Sequence, residues 1–211
     1  MADIKQSDYQ FNEHQVRTAL GRLGQILEEQ NQSIEVAVAG GAVALLYFEN
    51  RVSTRDIDVI FPENERQREL LKKAIHQVGK EMGFKGNLAQ SWMNNDGEGI
   101  GLKGKPSITI FEEGGLKLSS TPFEEQLALK LCSYRNKNDI SDAKEYMKEL
   151  ITGYQDNVDA LFDQVYKLKM FGVAIKKSIL RERFDLVLKA VTEPSIDNEK
   201  NLEYDLAYSA R

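Results

Sequence analysis

The 211 residues are 41% hydrophobic and 29% charged with only four Pro, which excludes a disordered chain, and a single Cys excludes an internal disulfide scaffold. A formal charge of −5 and a pI near 5.3 exclude a broadly basic nucleic-acid coat but leave room for a local basic cleft. No window holds the roughly 18 apolar residues of a membrane span, and the opening MADIKQSDYQ lacks an apolar signal core, so a cytoplasmic globular protein is expected.

In chain order, Phe11, Val16, Leu20, Leu23, Ile26 and Leu27 recur at steps of three and four, which predicts an amphipathic helix over 10–29. The β-branched run IEVAV (34–38) reads as a strand entering Gly40 and Gly41, followed by a short apolar helix. RVSTRDIDVIF (51–61) alternates Asp56 and Asp58 with Ile57 and Val59 and reads as a second strand. Leu70, Leu71, Ile75, Val78 and Met82 mark a helix over 64–83, and the Gly- and Asn-rich stretch 84–106 reads as loop and hairpin. SITIF (107–111) is a third strand candidate that would pair with 116–118 across Gly114 and Gly115.

At Thr121 the composition changes. The string TPFE combines a capping Thr, a first-turn Pro and Glu124, a helix-start signature. Helices are expected over 122–136, 140–151, 154–170 and 172–190, with Asn138 or Asp139 capping the second of them and Asp142 in its first turn. The expected fold class is therefore α/β (α+β): a mixed-sheet core over 1–120, a helical part over 121–191 and a polar tail over 192–211.

The chemistry concentrates in VAVAGGAVALLYFENRVSTRDIDVIF (36–61). Two glycines between strand and helix let backbone approach a phosphate closely and present free N–H groups. Asp56 and Asp58 fall two apart on a strand, which puts both carboxylates on one face roughly 6–7 Å apart. Paired hard oxygen ligands suit Mg²⁺ (or Mn²⁺), which completes its shell with water and substrate phosphates. Glycines to hold a triphosphate and aspartates to bind its metal divide the labour of one phosphoryl-transfer site.

This order, Gly-Gly, short helix, then Asp-x-Asp on the next strand, resembles the DNA polymerase β-like nucleotidyltransferase superfamily. The fuller GGAVALLYFENRVSTRDIDV is similar to its toxin-like branch, the AbiEii-type nucleotidyltransferases of bacterial toxin–antitoxin systems. FEEQLALKLCSYRNKNDISDAKEY (123–146) resembles that branch's helical motif, in which Lys130, Arg135, Asp139 and Asp142 recur in order. The resemblance covers about residues 35–150. It implies transfer of a nucleotide from an NTP to an acceptor hydroxyl on RNA, such as a tRNA end, or on protein, with release of pyrophosphate.

On that template Gly40 and Gly41 cradle the triphosphate, Asp56 and Asp58 bind metal, Lys130 pairs a phosphate and Asp139 orients the acceptor. Arg55 and Arg135 complete the substrate-binding candidates, and a cleft between the two parts would hold the NTP. A cognate antitoxin is an implied partner; a membrane is not. Many members carry a third carboxylate on a later strand. Here the equivalent positions are Ser107 and Thr109, and the nearest acid, Glu112, would face the other way. A catalytically inactive nucleotide-binding or interaction module on the same fold is the competing reading, as is a toxin-like part held inactive by a neighbouring protein.

The other residues read more plainly. Arg51 and Arg55, beside the acid pair, either steady the aspartates or meet phosphate. His14, His76 and Cys132 read as surface or packing residues, and two lone His with one Cys give zinc no ligand set. Trp92 reads as a loop anchor before a base-stacking platform. The basic stretch 167–183 reads as an ordinary charged helix face, with an RNA-facing surface as the alternative.

Overall fold

The computed structural model describes residues 9–99, 105–134, 136–154, 157–168 and 175–193. The chain divides between Pro122 and Phe123 into two compact units. No helix among the described residues is long and apolar enough to cross a membrane.

The first unit opens with α1 (Glu13–Glu29). Its start is fixed by a reciprocal cap: the Asn12 side chain accepts from the Gln15 N–H at 2.9 Å, and the Gln15 side chain accepts from the Asn12 N–H at 3.0 Å. Val16, Leu20, Leu23 and Leu27 form its buried stripe, each such side chain contributing roughly 1.5–3 kcal/mol of burial. Next come β1 (Ile34–Ala39), α2 (Gly41–Leu46), β2 (Ile57–Ile60) and α3 (Glu65–Glu81). Beyond them lie α4 (Leu88–Ser91), β3 (Met93–Asn94), α5 (Asp96–Gly99) and the hairpin β4 (Thr109–Glu113) and β5 (Leu116–Ser120).

The sheet order is β3-β2-β1-β5-β4. The central strand β1 runs antiparallel to β2 and parallel to β5, and its residues from Val36 to Ala39 are all buried, as expected of a strand covered on both faces. Because β2 runs against β1, its first residues lie beside the last of β1: Asp58 pairs with Ala39. The turn after β1 and the acidic start of β2 therefore share one edge of the sheet.

Two sequence expectations change in the first unit. The second strand begins only at Ile57, because 51–56 is a loop tied to the N-terminal segment: Phe11 and Thr54 exchange both backbone hydrogen bonds, at 2.7 and 2.9 Å. The described part of 84–106 is not a hairpin but α4, β3 and α5 in succession. Burial of Leu88, Ala89, Trp92 and Met93 outweighs the weak local propensity of this Gly- and Asn-rich run.

The second unit, described by itself, is helical: α6 (Phe123–Ser133), α7 (Lys137–Ile151), a 3-10 turn (Thr152–Tyr154), α8 (Val158–Lys167) and α9 (Lys177–Thr192). α6 stops earlier than expected because Tyr134 adopts a left-handed φ of 36°. The cap of α7 is Asn136, whose side chain accepts from the N–H groups of Asn138 and Asp139, so Asp139 lies in the first turn rather than at the cap. Leu161, Phe162, Val165, Leu180, Phe184 and Val187 pack α8 and α9 into this unit's core. The expected tail is described only as far as Glu193, and Arg135 lies outside the described residues.

Candidate functional site

At the edge where β1 ends, Gly40 has φ 74° and ψ −140°, a conformation open in practice only to glycine. A Cβ on Gly40 would stand 3.2 Å from Asp58 Oδ2. The Asp58 carboxylate thus lies against the turn that opens α2. On the next residue, Gly41, a Cβ would come within 2.8 Å of both Arg51 Nη1 and Thr54 Oγ1. A carboxylate and a guanidinium border two successive glycines.

Asp56, the last residue of the loop, and Asp58 on β2 are half-buried, and each is followed by a fully buried residue, Ile57 and Val59. Thr54 Oγ1 donates to the Asp56 carbonyl at 3.0 Å, which fixes the backbone just ahead of the acid pair. Burial holds the Asp56 carboxyl above its usual range, and the nearby charge of Asp96 pushes the same way. The exposed Arg55 opposes both effects.

Asp96 is the residue that sequence reasoning missed. It begins α5, directly after β3, and β3 pairs with β2 so that Asn94 stands opposite Asp58. The Asn94 side chain accepts from the Asp96 N–H at 2.8 Å. Nothing in the string MNNDG marks it, since acids in Asn-Asp-Gly turns are ordinary turn formers. Its relevance comes only from strand pairing.

The carboxylate sought near 107–112 is elsewhere in the sheet. Glu112 is exposed and pairs with Lys117, which is level with Glu35, four positions along β1 from Ala39. Among the described residues no group of three or more His, Cys, Asp or Glu side chains is close enough to hold a metal ion.

In the second unit, the Lys130 ammonium is enclosed rather than presented to solvent. It lies 2.8 Å from Asp142 Oδ2 and 3.4 Å from Asp139 Oδ1, with side-chain exposures of 7%, 0% and 7% for Lys130, Asp142 and Asp139. The three residues bind α6 to α7. Arg183 on α9 adds a further tie, donating from Nη1 to the carbonyls of Leu131 and Cys132 at 2.8 and 3.2 Å.

Trp92 is a core residue: it is 1% exposed and its Nε1 donates to the Ile75 carbonyl at 2.9 Å, which leaves no face for a base. Cys132 is buried, as expected, and His14 and His76 lie on α1 and α3.

A comparison with family models, curated proteins and solved structures finds no match to this chain.

Proposed function

We propose that the first unit binds a nucleoside triphosphate with Mg²⁺ and transfers its nucleotide portion to an acceptor hydroxyl on RNA or protein. The observation that supports this most is the Asp58 carboxylate set against the positive-φ Gly40, with Asp56 two residues before it and the charge of Asp96 acting on Asp56. Hard carboxylate oxygens fit Mg²⁺, which takes the rest of its shell from water and phosphate. Asp56 and Asp58 would hold the ion, which when bound neutralises the triphosphate and the departing pyrophosphate. Gly40 lets the backbone turn at a positive φ, and Gly41 lets the Arg51 guanidinium and the Thr54 hydroxyl approach the start of α2.

In the transfer itself the acceptor hydroxyl oxygen forms a bond to the α-phosphorus as the bond from that phosphorus to the β-bridging oxygen breaks. Pyrophosphate leaves with the electron pair, and the hydroxyl proton passes to solvent. The role of the chain is to position the phosphates and stabilise charge, since phosphoryl transfer asks for little else.

The test is incubation of the full chain with each of the four NTPs labelled at the α-phosphate, Mg²⁺ and total RNA or cell protein. Label should move to a macromolecule in the wild type and be lost in Asp58→Asn, with the variant's circular dichroism unchanged. Tight NTP binding without transfer to any acceptor would instead identify a nucleotide-binding module. Activity retained in Asp58→Asn would overturn the assignment of that residue.

A further inference from the structure

We infer that Arg51 grips the terminal phosphates of the nucleotide, an assignment that rests on reading this turn as a triphosphate site. The two arginines next to the acid pair have separate surroundings. Arg55 is exposed and its charge acts on Asp56. Arg51 is half-buried, and its guanidinium occupies the space that a side chain on Gly41 would fill: Nη1 at 2.8 Å and Cζ at 3.5 Å from the Cβ position. One glycine therefore carries a carboxylate beside it and the next a guanidinium.

That juxtaposition matches a metal-bound polyphosphate. The cation goes to the carboxylates, and the phosphate oxygens it leaves uncompensated need a second positive charge. Because α2 is only six residues long, its aligned peptide dipoles are few, so a side-chain cation must supply most of that charge. A guanidinium suits the task because its planar fork binds two phosphate oxygens at once.

The loop that carries Arg51 is anchored two and three residues further on, at Ser53 and Thr54. Thr54 is fixed by the backbone pair with Phe11 and by its bond to the Asp56 carbonyl, and the Ser53 hydroxyl contacts the Gln10 side chain. Phe11 is itself packed against Phe84, with ring centroids 4.9 Å apart. Directly after Arg51, Val52 is 89% exposed, so the loop lies at the protein surface. A cation held in place loses little freedom on binding, which makes each of its contacts more effective.

Calorimetric titration of the full chain tests this, with a non-transferable α,β-methylene NTP, the matching monophosphate and inorganic pyrophosphate as probes in Mg²⁺. Arg51→Gln should weaken the triphosphate analogue and pyrophosphate by about 10–100-fold, the worth of one charged bidentate contact, while shifting the monophosphate by less than about threefold. Arg51→Lys should recover part of the loss, because the charge remains without the fork. If the wild type binds the analogue and Arg51→Gln binds it equally, or loses triphosphate and monophosphate affinity alike, the Arg51 assignment falls and the nucleotide site stands. A wild type that binds none of the probes overturns both.

Discussion

Replacing Lys130 with Met separates a structural role for this residue from a catalytic one. With an effective dielectric of about 20, its pairing with Asp142 at 2.8 Å is worth about 6 kcal/mol and that with Asp139 at 3.4 Å about 5 kcal/mol. Desolvating three charges costs several kcal/mol per ion, so the net value of the cluster is far smaller than those gross attractions. Truncation is another matter. Lys130→Met keeps the volume but takes the ammonium away from two enclosed carboxylates, one of them with no exposed surface, and the expected loss is about 3–5 kcal/mol. That is a large share of the roughly 5–15 kcal/mol that holds a domain together.

Urea unfolding followed by far-UV circular dichroism measures it. The midpoint should fall with little change in slope, and the double variant Lys130→Met/Asp142→Asn should recover a coupling energy of about 0.5–3 kcal/mol. A Lys130→Met protein within about 0.5 kcal/mol of wild type would refute the structural account and return Lys130 to the phosphate-contact role that the family resemblance gives it.

Gly40→Ala places an L-residue at φ 74° with its Cβ 3.2 Å from Asp58 Oδ2. It should cost about 1–3 kcal/mol in thermal or chemical unfolding; a neutral outcome would show that the turn relaxes to an ordinary conformation. Asp56→Asn tests the electrostatics of the acid pair. Burial and Asp96 raise the folded carboxyl above its unfolded value, so ionised Asp56 opposes folding at neutral pH and that penalty fades as pH falls through the raised value. The variant should melt above wild type at pH 7 without metal, and the gap should shrink on acidification. A gap that is constant from pH 7 to acid would contradict the assignment.

The fold was legible where periodicity carries it. The stripe Val16, Leu20, Leu23, Leu27 gives α1, the β-branched run gives β1, and Gly114–Gly115 between alternating segments gives the β4–β5 hairpin. Boundaries were lost where long-range contacts decide them. The Phe11–Thr54 bridge shortens the second strand from its front, and the burial of Trp92 and Met93 turns an apparent loop into short ordered elements.

For the site, alternation puts Asp58 on the less buried side of β2 between buried Ile57 and Val59, because side-chain direction has period two, while Asp56 falls in the loop just before the strand. That Asp58 leans on Gly40 depends on the antiparallel register of β2 with β1, which no local pattern encodes. Asp96 depends likewise on the pairing of β3 with β2. The closure of Lys130 between two acids follows from how α6 packs on α7: spacing brings Lys130, Asp139 and Asp142 within one helix-turn-helix, but only packing excludes water from them.

The central claim, that the glycine turn and its facing acids handle an NTP by attack at the α-phosphorus, is tested most directly by where a radiolabel goes. With parallel reactions carrying label at the α- or the γ-phosphate, the α-label should appear on the acceptor and the γ-label in free pyrophosphate, both only with Mg²⁺. Transfer of the γ-label to the acceptor would mean a kinase, and appearance of γ-label as inorganic phosphate alone would mean simple hydrolysis; either result contradicts the account.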